Sequence, residues 1–225
     1  MQDHATDPGV FIRSMATRGH LGGLALATPQ AIRVLDAAGA PWILVETVGV
    51  GQVEVEVAAA TDTTVVVVTP GWGDSVQANK AGLLEIADVF VVNKADRPGA
   101  EDAERDLIQM LELGAHRTWT PPIVRTVASD GQGIDALWDA VGRHRAHLEK
   151  SGDLARRRRD RLRDEVRAIV LARLAADVEA RVAADGGLDA LLARVDAREL
   201  DPYAAAAAML DAATAGNVTI RDKSV

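Results

Sequence analysis

Four short apolar runs recur along the first part of the chain, and each ends in a polar or glycine-rich turn. Short apolar runs bounded by turn residues predict buried strands. Ile43-Leu44-Val45 closes on Glu46. Thr63 to Thr69 is a valine run flanked by threonines, which predicts a central parallel strand buried on both faces. Residues 89–92 and 123–127 predict two more. Apolar spacing between the runs has helical period. Residues 28–38 start with Thr28 as N-cap and Pro29 at N1, carry Ala31, Leu35 and Ala38, and stop at Gly39. Residues 74–87 present Val76, Leu83, Leu84 and Ile86. Residues 100–113 present Leu107, Ile108 and Leu111 before Gly114, and residues from 134 to about 148 present Leu137, Trp138 and Val141. Strands alternating with helices predict an α/β protein with a doubly wound, mostly parallel sheet. Residues 10–13 read as a further short strand. Residues 53–57 alternate with period two but lead into Ala58-Ala59-Ala60, so a helix is expected there.

The pattern changes near Ser151. Residues 153–185 hold no Pro or Gly, and Leu162, Val166, Ile169, Val170, Leu174, Val178 and Val182 keep helical spacing. This predicts one long amphipathic helix ended by Gly186-Gly187. A second helix carries Leu188, Leu191, Leu192 and Val195, and an Ala-rich third starts at Asp201-Pro202 and closes near Gly216. The expected organisation is an α/β domain over 1–150 and a helical appendage over 151–225. The arginines 156–159, with Arg161 and Arg163, read as a solvated face, or more sharply as a surface for an acidic partner.

Composition narrows the class. The chain has 225 residues, 48% hydrophobic but only 3% aromatic, so its core is aliphatic. A net charge of −8 argues against nucleic-acid or anionic-membrane binding by the whole chain. With no cysteine there is no disulfide framework, thiolate metal site or thiol nucleophile. No apolar stretch reaches transmembrane length and no signal peptide is visible, so a cytoplasmic home is expected.

The chemistry gathers at strand ends. Open α/β sheets hold ligands at the carboxyl ends of their strands. Glu46 sits at such an end, where an acid holds Mg²⁺ directly or through water. Gly49 and Gly51 follow, and their backbone N–H groups can approach a phosphate. Asn93-Lys94-Ala95-Asp96 follows the run 89–92 directly. A carboxylate at Asp96 accepts from both N1–H and the 2-amino group of guanine, a pattern adenine does not offer. Asn93 can donate to N7 and tie neighbouring loops together, and the Lys94 stem can lie over the base. The loop at Val127, Ala128 and Ser129 opens into a helix and can give a backbone N–H to the base O6. The three-glycine stretch 17–23 is either a ligand-approach loop or a flexible lead-in.

These motifs, in this order, resemble the methylmalonyl-CoA mutase-associated GTPases, the MeaB/ArgK family. The resemblance rests on 11–13, 17–19, 21–23, 45–52, Gly73-Asp74 with Gln77 and Lys80, 93–96 and 131–134. It implies a P-loop GTPase-like fold with a helical dimerisation appendage, and GTP hydrolysis with Mg²⁺. It also implies service as chaperone to a cobalamin-dependent methylmalonyl-CoA mutase or related acyl-CoA mutase. On it, Glu46, Gly49 and Gln52 form the catalytic element, with Glu46 the metal ligand. Asn93, Lys94, Asp96, Val127, Ala128 and Ser129 hold the nucleotide. Gly73, Asp74, Gln77 and Lys80 lie in a segment, 71–82, that resembles a switch reporting the nucleotide state to the mutase. Val127 stands where the family commonly has Ser.

One element of that family is absent. The 225 residues contain no G-x-x-x-x-G-K-[ST] loop, and with it the phosphate-binding Lys and the Ser/Thr ligand of Mg²⁺ are missing. The expectation is a sheet without its first strand, an open reading frame that continues upstream of Met1, and little GTP turnover by these residues alone. The alternatives are a partner-binding module that does not hydrolyse GTP, and an ATPase or kinase linked to arginine/ornithine transport. The guanine-reading residues count against the last.

Overall fold

A computed structural model describes residues 4, 6–15, 27–47, 58–71, 82, 85–114, 118–185 and 187–214. Its elements run α1 (Thr28–Ala37), β1 (Val65–Val68), β2 (Val89–Asn93), α2 (Ala100–Leu113), β3 (Ile123–Thr126), α3 (Ile134–Ser151), α4 (Asp153–Asp185), α5 (Gly187–Asp196) and α6 (Pro202–Thr214). Two compact units are present, residues 1–161 and 162–225.

In the first unit the three strands form one parallel sheet in the order β1-β2-β3. The middle strand is β2, whose Val89, Phe90, Val91 and Val92 are all buried. Its pleat sends alternate side chains to opposite faces. Phe90 and Val92 pack with Val68, Ala100, Ala103 and Leu107 beneath α2. Val89 packs with Val124, Ala140, Val65 and Leu137 beneath α3. One helix therefore covers each face, the expected doubly wound arrangement.

Among the described strands the valine run is not central. β1 is an edge of the described sheet, and Val67 is 58% exposed while Val68 is buried. A uniform apolar run reports burial potential but not which strand gains neighbours on both sides. Residues 43–46 form no ladder among the described residues. Ile43 and Val45 are half-buried while Leu44 and Glu46 are exposed. Residues 10–13 are likewise not a strand, and Phe11 is largely exposed. The helix expected over 53–57 lies outside the described residues, although residues 58–60 are helical. Most of the helix expected at 74–87 also lies outside them.

Helix ends follow local chemistry with small corrections. Thr28 is the first residue inside α1 rather than its N-cap, which is Ala27; its hydroxyl reaches Met15 Sδ instead. α2 begins and ends as its pattern predicts, but Ile108 is exposed. Ala100, Ala103 and Leu107 line its buried side, with Leu111 packed against them. Trp138 of α3 is half exposed and meets Trp42 at a ring separation of 4.4 Å.

Arg156, Arg158, Arg159 and Arg163 at the start of α4 are exposed, as a solvated face would be, but three arginines of this run also reach acids at the sheet. Arg158 Nη2 donates to Asp62 Oδ2 at 2.6 Å, and Arg161 donates to Asp62 and to the Thr61 carbonyl. Arg157 stands 3.5 Å from the buried Asp88 carboxylate. Asp88 also accepts the Thr64 N–H at 2.9 Å, and its carbonyl accepts Trp119 Nε1–H at 2.8 Å. His144 of α3 is fully buried, with Nδ1 2.9 Å from Thr63 Oγ1 and Nε2 3.1 Å from Asp88 Oδ1. The first turns of α4 are thus held to the amino-terminal end of the sheet, opposite the strand ends that carry the reader motif. Spacing along α4 could not reveal this, because Asp62 is 96 residues from Arg158 and Asp88 is 69 residues from Arg157.

Burial works against the charge of Asp62, but hydrogen bonds from Arg158 and Arg161 and their positive charges outweigh it and hold its carboxyl below the usual range. A carboxylate depressed in the folded state contributes stability above its unfolded value near about 3.9, and loses it as pH falls through the lower folded value. Asp62→Asn should therefore cost stability at pH 7, and the gap to the parent chain should close below about pH 4. Urea unfolding at both pH values checks this; a gap that widens in acid refutes it.

In the second unit α5 and α6 pack together, and Ala205 of α6 is buried. Asp201 Oδ1 caps α6, accepting N–H from Tyr203 at 2.8 Å and Ala204 at 3.0 Å. On α4, Leu162, Val166, Ile169, Val170 and Leu174 are all exposed. Among the described residues no helix is long and apolar enough to cross a membrane.

Candidate functional site

The reader loop grows from the buried middle strand. β2 ends at Asn93, and Lys94 follows with φ of 57°, a left-handed turn that bends the chain out of the sheet. Ala95 N–H then donates to the Thr126 carbonyl at 3.0 Å, and Arg97 N–H to the Lys94 carbonyl at 3.0 Å. The loop is fixed at both ends, and Lys94 and Asp96 stand exposed at the carboxyl end of the strand. Gly99 takes φ of 89° to start α2 immediately after it.

The second loop comes from β3. Thr126 is the last strand residue and buried Val127 the first beyond it, one position earlier than the expected strand end. Val127 N–H donates to the Gln132 carbonyl and Asp130 N–H to the Val127 carbonyl, each at 3.0 Å. This closes a tight loop that holds Ala128 and Ser129 at the surface. Gly133 must then pass beside the backbone of β3, with φ of 79°, to begin α3.

Asn93 joins the two loops. Its Oδ1 accepts from Thr126 Oγ1 at 3.1 Å and from Ala128 N–H at 3.2 Å. The structure therefore brings Asn93, Lys94, Asp96, Val127, Ala128 and Ser129 to one end of the sheet. Thr126 belongs to this cluster, although no motif singled it out; its register opposite Asn93 is what places it.

Glu46 is exposed on an unpaired segment, and among the described residues no group of three His, Cys, Asp or Glu side chains could hold a metal ion. Gly49, Gln52, Gly73, Asp74, Gln77 and Lys80 lie outside the described residues, as does the stretch 17–23.

A parallel sheet with one helix on each face and an Asn-Lys-x-Asp loop at the end of its middle strand places the chain in the P-loop GTPase class of α/β folds. The chain belongs to the family described as methylmalonyl Co-A mutase-associated GTPase MeaB, which matches residues 1–183. A protein of Pyrococcus abyssi whose name marks it as a GTPase is 49% identical over 99% of this chain and 69% of its own length. The mitochondrial methylmalonic aciduria type A homolog of Mus musculus is 36% identical over 70% of this chain and 39% of its own length. Among solved structures, one titled LAO/AO transport system kinase superposes with a TM-score of 0.60 at 26% identity, covering 81% of this chain and 60% of that one.

Proposed function

We propose that this chain carries the guanine-reading and partner-signalling parts of a MeaB-type GTPase that serves a cobalamin-dependent acyl-CoA mutase in the cytoplasm. The observation that supports it best is the Asn93 junction, in which two loops from adjacent strands are tied together beside an exposed Lys94 and Asp96. Asp96 is the guanine-selective acceptor, Lys94 covers the base, and the 127–129 loop faces O6. Gly73, Asp74, Gln77 and Lys80 report the nucleotide state to the mutase. Glu46, Gly49 and Gln52 act on the γ-phosphate side with Mg²⁺. Without a phosphate-cradling loop in these residues, GDP binding is weak and GTP turnover negligible, since phosphoryl transfer depends on positioning and electrostatic stabilisation. Competition against a fluorescent guanine nucleotide tests the reading. GDP should displace the probe and ADP should not; equal displacement defeats it.

The exposed aliphatic stripe of α4 supports a homodimer built on the appendage. Five exposed aliphatic side chains at helical spacing exceed the scattered apolar residues normal on a monomer. Replacing Val166 and Ile169 together with Asp should convert dimers to monomers in sedimentation velocity. A parent chain that is already monomeric at micromolar concentration refutes the dimer.

A further inference from the structure

We infer that the junction of α3 and α4 is a joint, with Gly152 as its hinge and the carboxylates of Asp62 and Asp88 as its latch. The first turns of α4 open from the sheet while α3 stays in place. One residue separates the two helices: α3 ends at Ser151 and α4 begins at Asp153. Gly152 has φ of 78°, and a Cβ there would meet nothing within 4 Å. Glycine is therefore required by the bend and not by packing. The hydrogen bonds across the bend are long. Ser151 Oγ accepts the Asp153 N–H at 3.3 Å, and Arg156 N–H reaches the Gly152 carbonyl at 3.4 Å.

The two sides of the bend are held differently. α3 buries Ala140, His144 and Leu148, each at most 1% exposed. None of residues 153–161 is buried, and this stretch lies wholly in the first unit. What ties it to the sheet is chiefly charge. Arg157 stands 3.5 Å from Asp88, Arg158 pairs with Asp62 at 2.6 Å, and Arg161 pairs with Asp62 as well. These three side chains are 39%, 57% and 25% exposed. Ion pairs so wetted are individually weak and are screened by salt, whereas the aliphatic contacts of α3 are not. The joint therefore yields on the α4 side. The latch carboxylate of Asp88 stays behind when it opens, because Thr64 N–H donates to it at 2.9 Å and His144 Nε2 stands 3.1 Å away.

The test uses the full chain, which has no cysteine of its own to compete for labels. Spin labels on Ala146→Cys in α3 and Arg159→Cys in α4, both exposed positions, let pulsed dipolar resonance read the distance across the joint. One distance should dominate at about 20 mM salt, and a second should appear at about 500 mM, where charges are screened beyond about 4 Å. In Asp62→Asn the second distance should be present already at low salt. Gly152→Ala, which penalises the left-handed bend, should raise the population of the second distance roughly fivefold at the same salt. If that variant does not fold, salt and Asp62→Asn carry the test. The near-ultraviolet dichroism, to which Trp119 contributes with its ring 5.0 Å from that of His144, should stay unchanged throughout. A fixed structural clamp would keep one distance under every condition, and that result overturns the inference. A second distance that appears only together with loss of the dichroism reports unfolding and overturns it as well.

Discussion

Replacing Gly133 with Ala should lower stability by about 3 kcal/mol or more, the sum of a left-handed backbone and an overpacked site. Gly133 has φ of 79°, and a Cβ there would overlap the Arg125 carbonyl oxygen and lie 3.2 Å from Thr126 Cα. These atoms belong to β3, which pairs in register with β2, so neither side can retreat without disturbing that ladder. Gly131 supplies the control. It shares the left-handed region at φ of 72°, but a Cβ there would meet nothing within 4 Å. Gly131→Ala should therefore carry only the conformational cost of about 1 kcal/mol. For a chain of this size the Gly133 variant should melt roughly 10 °C lower. Urea titrations with an unchanged slope would attribute the difference to stability alone. Equal losses for the two variants would show that close approach to β3 is not what requires glycine at 133.

Asp96→Asn should reverse the base preference. A carboxylate accepts from N1–H and from the 2-amino group of guanine. Hydrogen bonds to charged groups are worth about 1.5–3 kcal/mol, so the amide should weaken GDP by roughly tenfold to a hundredfold. An amide also presents a donor where xanthine carries a 2-oxo acceptor, so XDP should bind the variant better than it binds the parent. Asp96 is exposed at the surface end of its loop, and its side chain makes no hydrogen bond or ion pair among the described residues, so the fold should survive the change. Competition with GDP, XDP and ADP reads all of this in one experiment. A variant that weakens for every nucleotide alike would remove Asp96 from base recognition.

The Gly133 series tests how the second loop is built, and the Asp96 series tests what the first loop reads. Both loops hang on neighbouring parallel strands, and the Asn93 amide is their bond. Damage to β3 should therefore reach nucleotide binding through Asn93.

Much of this protein was legible along the chain. The bounds of α2 and α4, the parallel sheet with helices between strands, and the turn chemistry after β2 all depend on residues within a few positions of one another. Periodicity and turn propensity report such local preferences directly. The family, too, was carried by short contiguous strings such as residues 93–96 and 45–52. What tertiary structure alone decided is everything that needed a partner far away. Among the described strands the valine run is an edge, because a strand's place depends on its neighbours, not on its own composition. Residues 43–46 have the composition of a strand but no ladder among the described residues. The arginines at the start of α4 read as a solvated face, and most are exposed, yet Arg157, Arg158 and Arg161 also pair with Asp88 and Asp62. Burial of His144 and the hold of Thr126 on Asn93 join elements more than thirty residues apart. Hydrogen bonds of that reach are made by the folded register, and no window of sequence contains both of their ends.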